Sequence, residues 1–221
     1  MNENGWAGVN RSGEDDRRST PRGRRLGDTL LALSVIADIG CQRAGRALSE
    51  MTGTTIDAKA AQLRRVPLDS VPNLVGGPEV VVTATYVRIS GEIQGHMLLM
   101  LPMKDGCSLA SMLLSEAVEP RPDLPEMARS ALGEVGNISA SFFLAALADS
   151  AGMALSLSPP AVVVDMSGAV LDVVLADLGE ESEEVLVIDT VFAQSQQLVN
   201  AVFLVLLRQS YFDVVLDKLP K

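Results

Sequence analysis

Laid over itself with a shift of 99 residues, the chain matches itself: ALSVIADIG at positions 32–40 falls on ALGEVGNIS at 131–139, and Gly53 falls on Gly152. A period that long marks a duplicated supersecondary unit. Two copies of about 95 residues, each too small to bury its own strands well, pair about a pseudo-two-fold axis and share one sheet and one core. The expected fold class is therefore α+β: two pseudosymmetric α/β repeats sharing a mostly antiparallel sheet. The reading is a single domain over residues 27–221, with copies at about 27–118 and 123–221, behind a disordered tail at 1–26.

The order of elements supports the duplication. A helical pattern from Asp28 to Gly53 carries Leu31, Val35, Ile39 and Leu48, with Asp28 as N-cap and Gly53 as C-terminal glycine. A less regular stretch and a Pro/Gly-rich connection at 66–77 lead to two strands, 79–90 and 92–102, joined at Gly91. A short helix at 105–115 and a break at Pro120, Pro122 and Pro125 follow, with Asp123 available as the next N-cap. The second copy reads as a long helix from Glu126, an extended stretch at 161–174 and an acidic turn at 177–184. Strands at 185–193 and 198–208 and a last helix at 211–219 complete it.

The second long helix breaks local rules. Gly133, Gly136 and Asn137 interrupt a run of good helix formers, each interior Gly costing roughly 1 kcal/mol against Ala. On a helical wheel Met127, Ala131, Val135, Ile138, Phe142 and Ala145 fall on one apolar stripe, and Ser130, Glu134, Asn137 and Ser141 on a polar one beside it. Gly133, Gly136 and Ala140 lie on the other flank, where a second backbone could approach. A carboxylate and an amide one turn apart can grip one bound object together.

The spacing S-x-x-x-E-x-x-N at Ser130, Glu134 and Asn137, followed after 22 intervening residues by Pro160, resembles the signature of the CheC/CheX/FliY phosphatases of chemotaxis. The resemblance extends along residues 131–172 and, more weakly, over 27–210. It implies a CheC-like domain with two long helices on one exposed face, in a cytoplasmic protein of two-component signalling. It further implies a hydrolase acting on the aspartyl phosphate of a CheY-type response regulator, with no cofactor of its own and Mg²⁺ on the receiver. In that reading Asn137 orients the attacking water, Glu134 docks the receiver, and Ser130, Ser141 and Pro160 contribute to binding. Many members carry two intact motifs. Here the first copy has Leu31, Val35 and Asp38 at the matching positions and Ala61 in place of the proline, so one working site is expected, in the second half. The alternative is a non-catalytic module that sequesters the receptor deamidase CheD in response to phospho-CheY. A FliY-type rotor component is the less expected reading, since that role needs an assembly domain after Leu219.

Composition narrows the partners. A net charge of −10 and a pI near 4.6 argue against nucleic acid and anionic membrane surfaces, so a protein partner is expected. The longest apolar runs, 138–148 and 198–207, fall short of the ~20 residues that span a bilayer. Cys41 and Cys107 have no C-x-x-C spacing and read as reduced, packed thiols. The single histidine, His96, lies in an apolar strand pattern and reads as a packed residue, with no H-E-x-x-H, P-loop or G-x-G-x-x-G in the chain. Glu180, Glu181, Glu183 and Glu184 read as a solvated charge run, with no metal site expected.

Overall fold

The computed structural model describes residues 21–178 and 184–219. Its elements are α1 (Pro21–Thr52), β1 (Asp57–Pro67), α2 (Val71–Leu74), β2 (Val81–Gly91), β3 (Gly95–Pro102), α3 (Met103–Leu114) and α4 (Glu126–Ala151). They are followed by β4 (Leu155–Leu157), β5 (Ala161–Met166), α5 (Ser167–Leu178), β6 (Glu184–Gln194), β7 (Gln197–Leu207) and α6 (Gln209–Lys218).

All strands join one antiparallel sheet in the order β1-β6-β7-β3-β2-β4, with β5 also on β2. That order reads the same from either end, which is the duplication in three dimensions. The register repeats as well: Asp57↔Ala193 and Pro67↔Glu184 in the first edge recur as Ser156↔Ser90 and Met166↔Val81 in the other. The pairing slips by one residue at Ala61, the position matching Pro160, where β4 and β5 are interrupted. The two edges thus share one irregularity.

α1 and α4 lie together on one face of the sheet, over a core that includes Leu33, Leu48, Ile89, Leu99, Val135, Phe143, Ile188 and Phe203. They touch closely, because a Cβ on Gly40 would stand 3.0 Å from the Phe143 Cα. Both end at a left-handed glycine, Gly53 (φ 69°) and Gly152 (φ 61°), a conformation glycine adopts without the Cβ clash of other residues. The opposite face is covered by α2 and α5 over Val82, Ala84, Leu98, Met100 and Leu204. By length and composition α4 alone among the described residues could cross a membrane, yet half of that apolar window is buried inside the protein.

Several boundaries correct the sequence reading. α1 begins at Pro21 rather than Asp28, so residues 21–26 of the expected tail are helical. A proline suits the first turn of a helix, and Leu26 packs against the core one turn before Leu30 and Leu33. Residues 1–20 and the glutamates at 180, 181 and 183 lie outside the described residues. The irregular stretch after Gly53 is strand β1. The stretch at 161–174 divides at Met166, because Val170, Leu171 and Val174 recur with a helical period and bury on the second sheet face. Pro125, not Asp123, occupies the N-cap of α4, without a side-chain cap.

Candidate functional site

The site is presented by α4, and the way α4 seats decides which side chains face out. Its buried residues are Ala128, Leu132, Gly133, Val135, Gly136, Ala140, Phe143, Leu144, Ala146, Leu147 and Ala151. The apolar stripe read from the sequence is therefore rotated: Met127 is 66% exposed and Ala145 is exposed, while the glycine flank faces inward. The reason is Thr85 on β2. Its hydroxyl donates to the Leu132 carbonyl at 2.9 Å, and a Cβ on Gly136 would lie only 2.3 Å from the Thr85 methyl carbon. What approaches Gly136 is thus a strand side chain. This seat is tight enough to fix the rotation of the helix.

With that rotation Ser130, Glu134 and Ser141 are exposed and Asn137 is half-buried. Glu134 and Asn137, three residues apart, have Cβ atoms roughly 5–6 Å from one another. Asn137 and Ser141 line a groove of about 530 Å³ whose far wall is β4 and the segment Ser158–Pro160. The structure therefore brings Asn137, Ser141 and Pro160 to one groove, with Ser130 and Glu134 further up the same helix and outside its lining.

The far wall, which the sequence reading credited only to Pro160, is held by polar ties. Ser158 bonds to Arg88 through both its backbone N–H, 2.9 Å from the Arg88 carbonyl, and its Oγ, 3.0 Å from the Arg88 N–H. Glu92 accepts from the Ala154 N–H at 2.8 Å and pairs with Lys218 at 2.5 Å. The Lys218 hydrogen bond first, and the Ala154 N–H second, hold the Glu92 carboxyl below its ordinary range. Arg129 Nη1 donates to the Val162 carbonyl at 3.1 Å, joining α4 to β5. S-P-P at 158–160, a turn-type cluster between two strands, is the signal for this wall. No described residue lining the groove is ionisable.

The first copy has the matching groove, of about 650 Å³, between α1 and β1. Asp38 stands where Asn137 does and accepts a hydrogen bond from Gln42 Nε2 at 2.7 Å. Arg46, Glu50, Asp57 and Lys59 make its walls charged. Leu31 and Val35 occupy the Ser130 and Glu134 positions, 68% and 55% exposed. Cys41, on the same helix, has its thiol pushed up to about 11, chiefly by burial.

A curated relative, the CheY-P phosphatase CheC of Bacillus subtilis (strain 168), is 32% identical over 168 residues, covering 75% of this chain and 80% of that protein. The chain belongs to the CheC-like family. The model of the CheC-like family matches residues 127–164, the span from the start of α4 through the groove wall to β5. Among solved structures, FliY of Thermotoga maritima superposes with a TM-score of 0.69 at 17% identity, covering 90% of this chain and 98% of that one. CheX in the CheX–CheY–BeF3–Mg²⁺ complex from Borrelia burgdorferi gives 0.50 at 19% identity, covering 81% and 98%. These two show a shared fold: the palindromic sheet and paired long helices are the CheC-like architecture.

Proposed function

We propose that this chain removes phosphate from the aspartyl phosphate of a CheY-type receiver, using the second-half site alone. The observation that carries the reading is the position of Asn137, where the exposed polar row of α4 meets an uncharged groove. The lining of that groove holds no carboxylate to repel an anionic phosphoryl group, whereas the first-copy groove has Asp38 in its lining. The name of the B. subtilis relative and the CheY complex of the B. burgdorferi neighbour support the choice of substrate.

The chemistry asks little of the protein. Phosphoryl transfer runs through a loose transition state, so positioning and charge placement dominate. Mg²⁺ belongs to the receiver. The side-chain carbonyl of Asn137 accepts a hydrogen bond from one water and holds its lone pair in line with phosphorus. The new P–O bond forms as the bond to the receiver carboxylate breaks, giving free aspartate and inorganic phosphate. Glu134 sits one turn away, exposed, and pairs with a cation beside the receiver's phosphorylation site. Ser130 and Ser141 extend the contact along the helix, and Pro160 shapes the facing wall.

The test is a time course of phosphate loss from a purified CheY-type receiver, with and without the protein. Acceleration that disappears in Asn137→Ala while receiver binding persists is the expected result. A wild-type rate in Asn137→Ala would leave recognition of the receiver without turnover as the function.

A further inference from the structure

The outward face of α1 is aliphatic where the matching face of α4 is polar. Asp28, Leu31, Val35, Ile39, Gln42 and Arg46 are all exposed and recur three or four residues apart, so they form one stripe about a quarter-turn wide along the helix. Its middle is three aliphatic side chains, Leu31, Val35 and Ile39. The core-facing residues of α1, Leu33, Ile36, Ala37 and Leu48, lie on the other side of the helix, so the stripe points away from the chain's own sheet. The pseudosymmetry supplies a control: the same positions on α4 hold Met127, Ser130, Glu134, Ile138, Ser141 and Ala145. The fold itself therefore calls neither for aliphatic side chains at 31 and 35 nor for opposite charges at the two ends.

Those ends select the occupant. Asp28 and Arg46 close the stripe with opposite charges, roughly 27 Å apart along the helix. A second α1 laid antiparallel over the first, with a two-fold axis level with Ala37, is complementary along its length. Asp28 of each copy falls opposite Arg46 of the other, both nine residues from the axis, and Val35 falls opposite Ile39, both two residues from it. Leu31 falls opposite Arg43, whose aliphatic stem can cover it. No like charges oppose one another between positions 28 and 46 in this register, whereas a slide of one turn sets Asp28 against Glu50.

We propose that two copies of this chain pair through this stripe, α1 against α1, antiparallel and two-fold symmetric. A lone helix pair falls below the roughly 1,200–2,000 Å² of stable interfaces, so the pairing is weak and rises with concentration. The aliphatic middle supplies the attraction, and the charged ends set direction and register. The pairing is read without a receiver, so its failure and that of the phosphatase reading are distinguishable.

Sedimentation velocity of the full chain from micromolar to submillimolar concentration tests this, at about 0.15 M salt, where repulsion between two chains of net charge −10 is screened. A reversible shift from one chain to two, with no larger species, is expected. Asp28→Arg and Arg46→Glu should each weaken pairing by at least about tenfold. The two changes in one chain should restore it, because the swapped charges meet again across the axis. Val35→Glu should abolish pairing, and Val173→Ser, at an exposed aliphatic on α5 over the opposite sheet face, should leave it unchanged. Circular dichroism confirms folding of each variant. A chain that stays single throughout, pairing that survives Val35→Glu, a double reversal no tighter than either single one, or growth beyond two chains would overturn the assignment. So would a single chain that uses Leu31 and Val35 to bind a CheY-type receiver, which would give the stripe to that partner.

Discussion

The two grooves beside the long helices are built on one backbone plan and carry opposite chemistry. In both, a long helix ends at a left-handed glycine and faces an edge strand interrupted at the same position. The second groove has Asn137 and Ser141 against uncharged walls, and the first has Asp38 tied to Gln42 among ionisable side chains. Duplication has kept the frame, and a few outward side chains set the two grooves apart. Function here lies in the site and not in the fold.

The sharpest way to break this comparison is to alter matching positions. On the mechanism proposed above, Asn137→Ala removes the group that orients the water and should slow receiver dephosphorylation on the order of 100-fold. Asp38→Ala should leave the rate unchanged. Equal losses in the two variants, in the same phosphate-release assay, would mean that both grooves work.

The next effect is on the seat of α4. Gly136→Ala replaces a residue whose first-copy counterpart is Ala37, yet its methyl would collide with Thr85. Overpacking of this kind costs about 1–3 kcal/mol, outweighing the gain in helix propensity. Thermal melts should show Tm falling by several degrees. Thr85→Ala in the same chain should recover part of the loss, a non-additivity expected only if the two groups touch.

Glu134→Lys should weaken the complex with the phosphorylated receiver by roughly tenfold, read by titration, because a charge reversal removes attraction and adds repulsion. The complementary change, Leu31→Ser with Val35→Glu and Asp38→Asn, should at most about double the rate, since two equal sites are the ceiling of a duplicated frame. An increase well beyond that would show that the grooves cooperate.

The sequence made part of this comparison legible. The repeat, both hairpins, the glycine breaks and the polar row of α4 could all be read because each is local: a period, a turn signal or a spacing. β1 escaped because DAKAAQLRRVP has a single β-branched residue and, as an edge strand, leaves much of its length half-exposed or exposed. The rotation of α4 escaped for a related reason. A buried face made of Gly133, Gly136 and Ala140 carries almost no hydrophobic weight, so a wheel drawn from the sequence turns toward Met127, which solvent reaches. Only the partner strand, through Thr85, reveals which flank is inward.

The smallest expected effect concerns how each groove wall is fastened. Gln194 Nε2 donates to Thr54 Oγ1 at 2.7 Å in the first copy, a neutral tie, while in the second copy Glu92 ties Ala154 and Lys218 as a carboxylate. The folded-state pKa of Glu92 is lowered, so its contribution is present above the ordinary carboxylate range and is lost as pH falls through the folded value. Glu92→Gln should therefore lower Tm slightly at neutral pH and not in acid, whereas Gln194→Ala should act alike at both. Melts of both variants across pH give the answer.

The shared irregularity in the outer strands has a further consequence, for how the molecule behaves in a crowd. A sheet of this kind leaves two rows of backbone donors and acceptors open to strand addition by another chain. One row, β1, is bent by the slip at Ala61 and carries Lys59, Arg64 and Arg65; the other is cut by Ser158–Pro160, where two prolines offer no N–H. In the second copy the proline that lines the groove also interrupts the open edge, a device that disfavours edge-to-edge pairing of copies. Selection for Pro160 as part of a binding wall and selection against aggregation would act on one side chain, in the same direction.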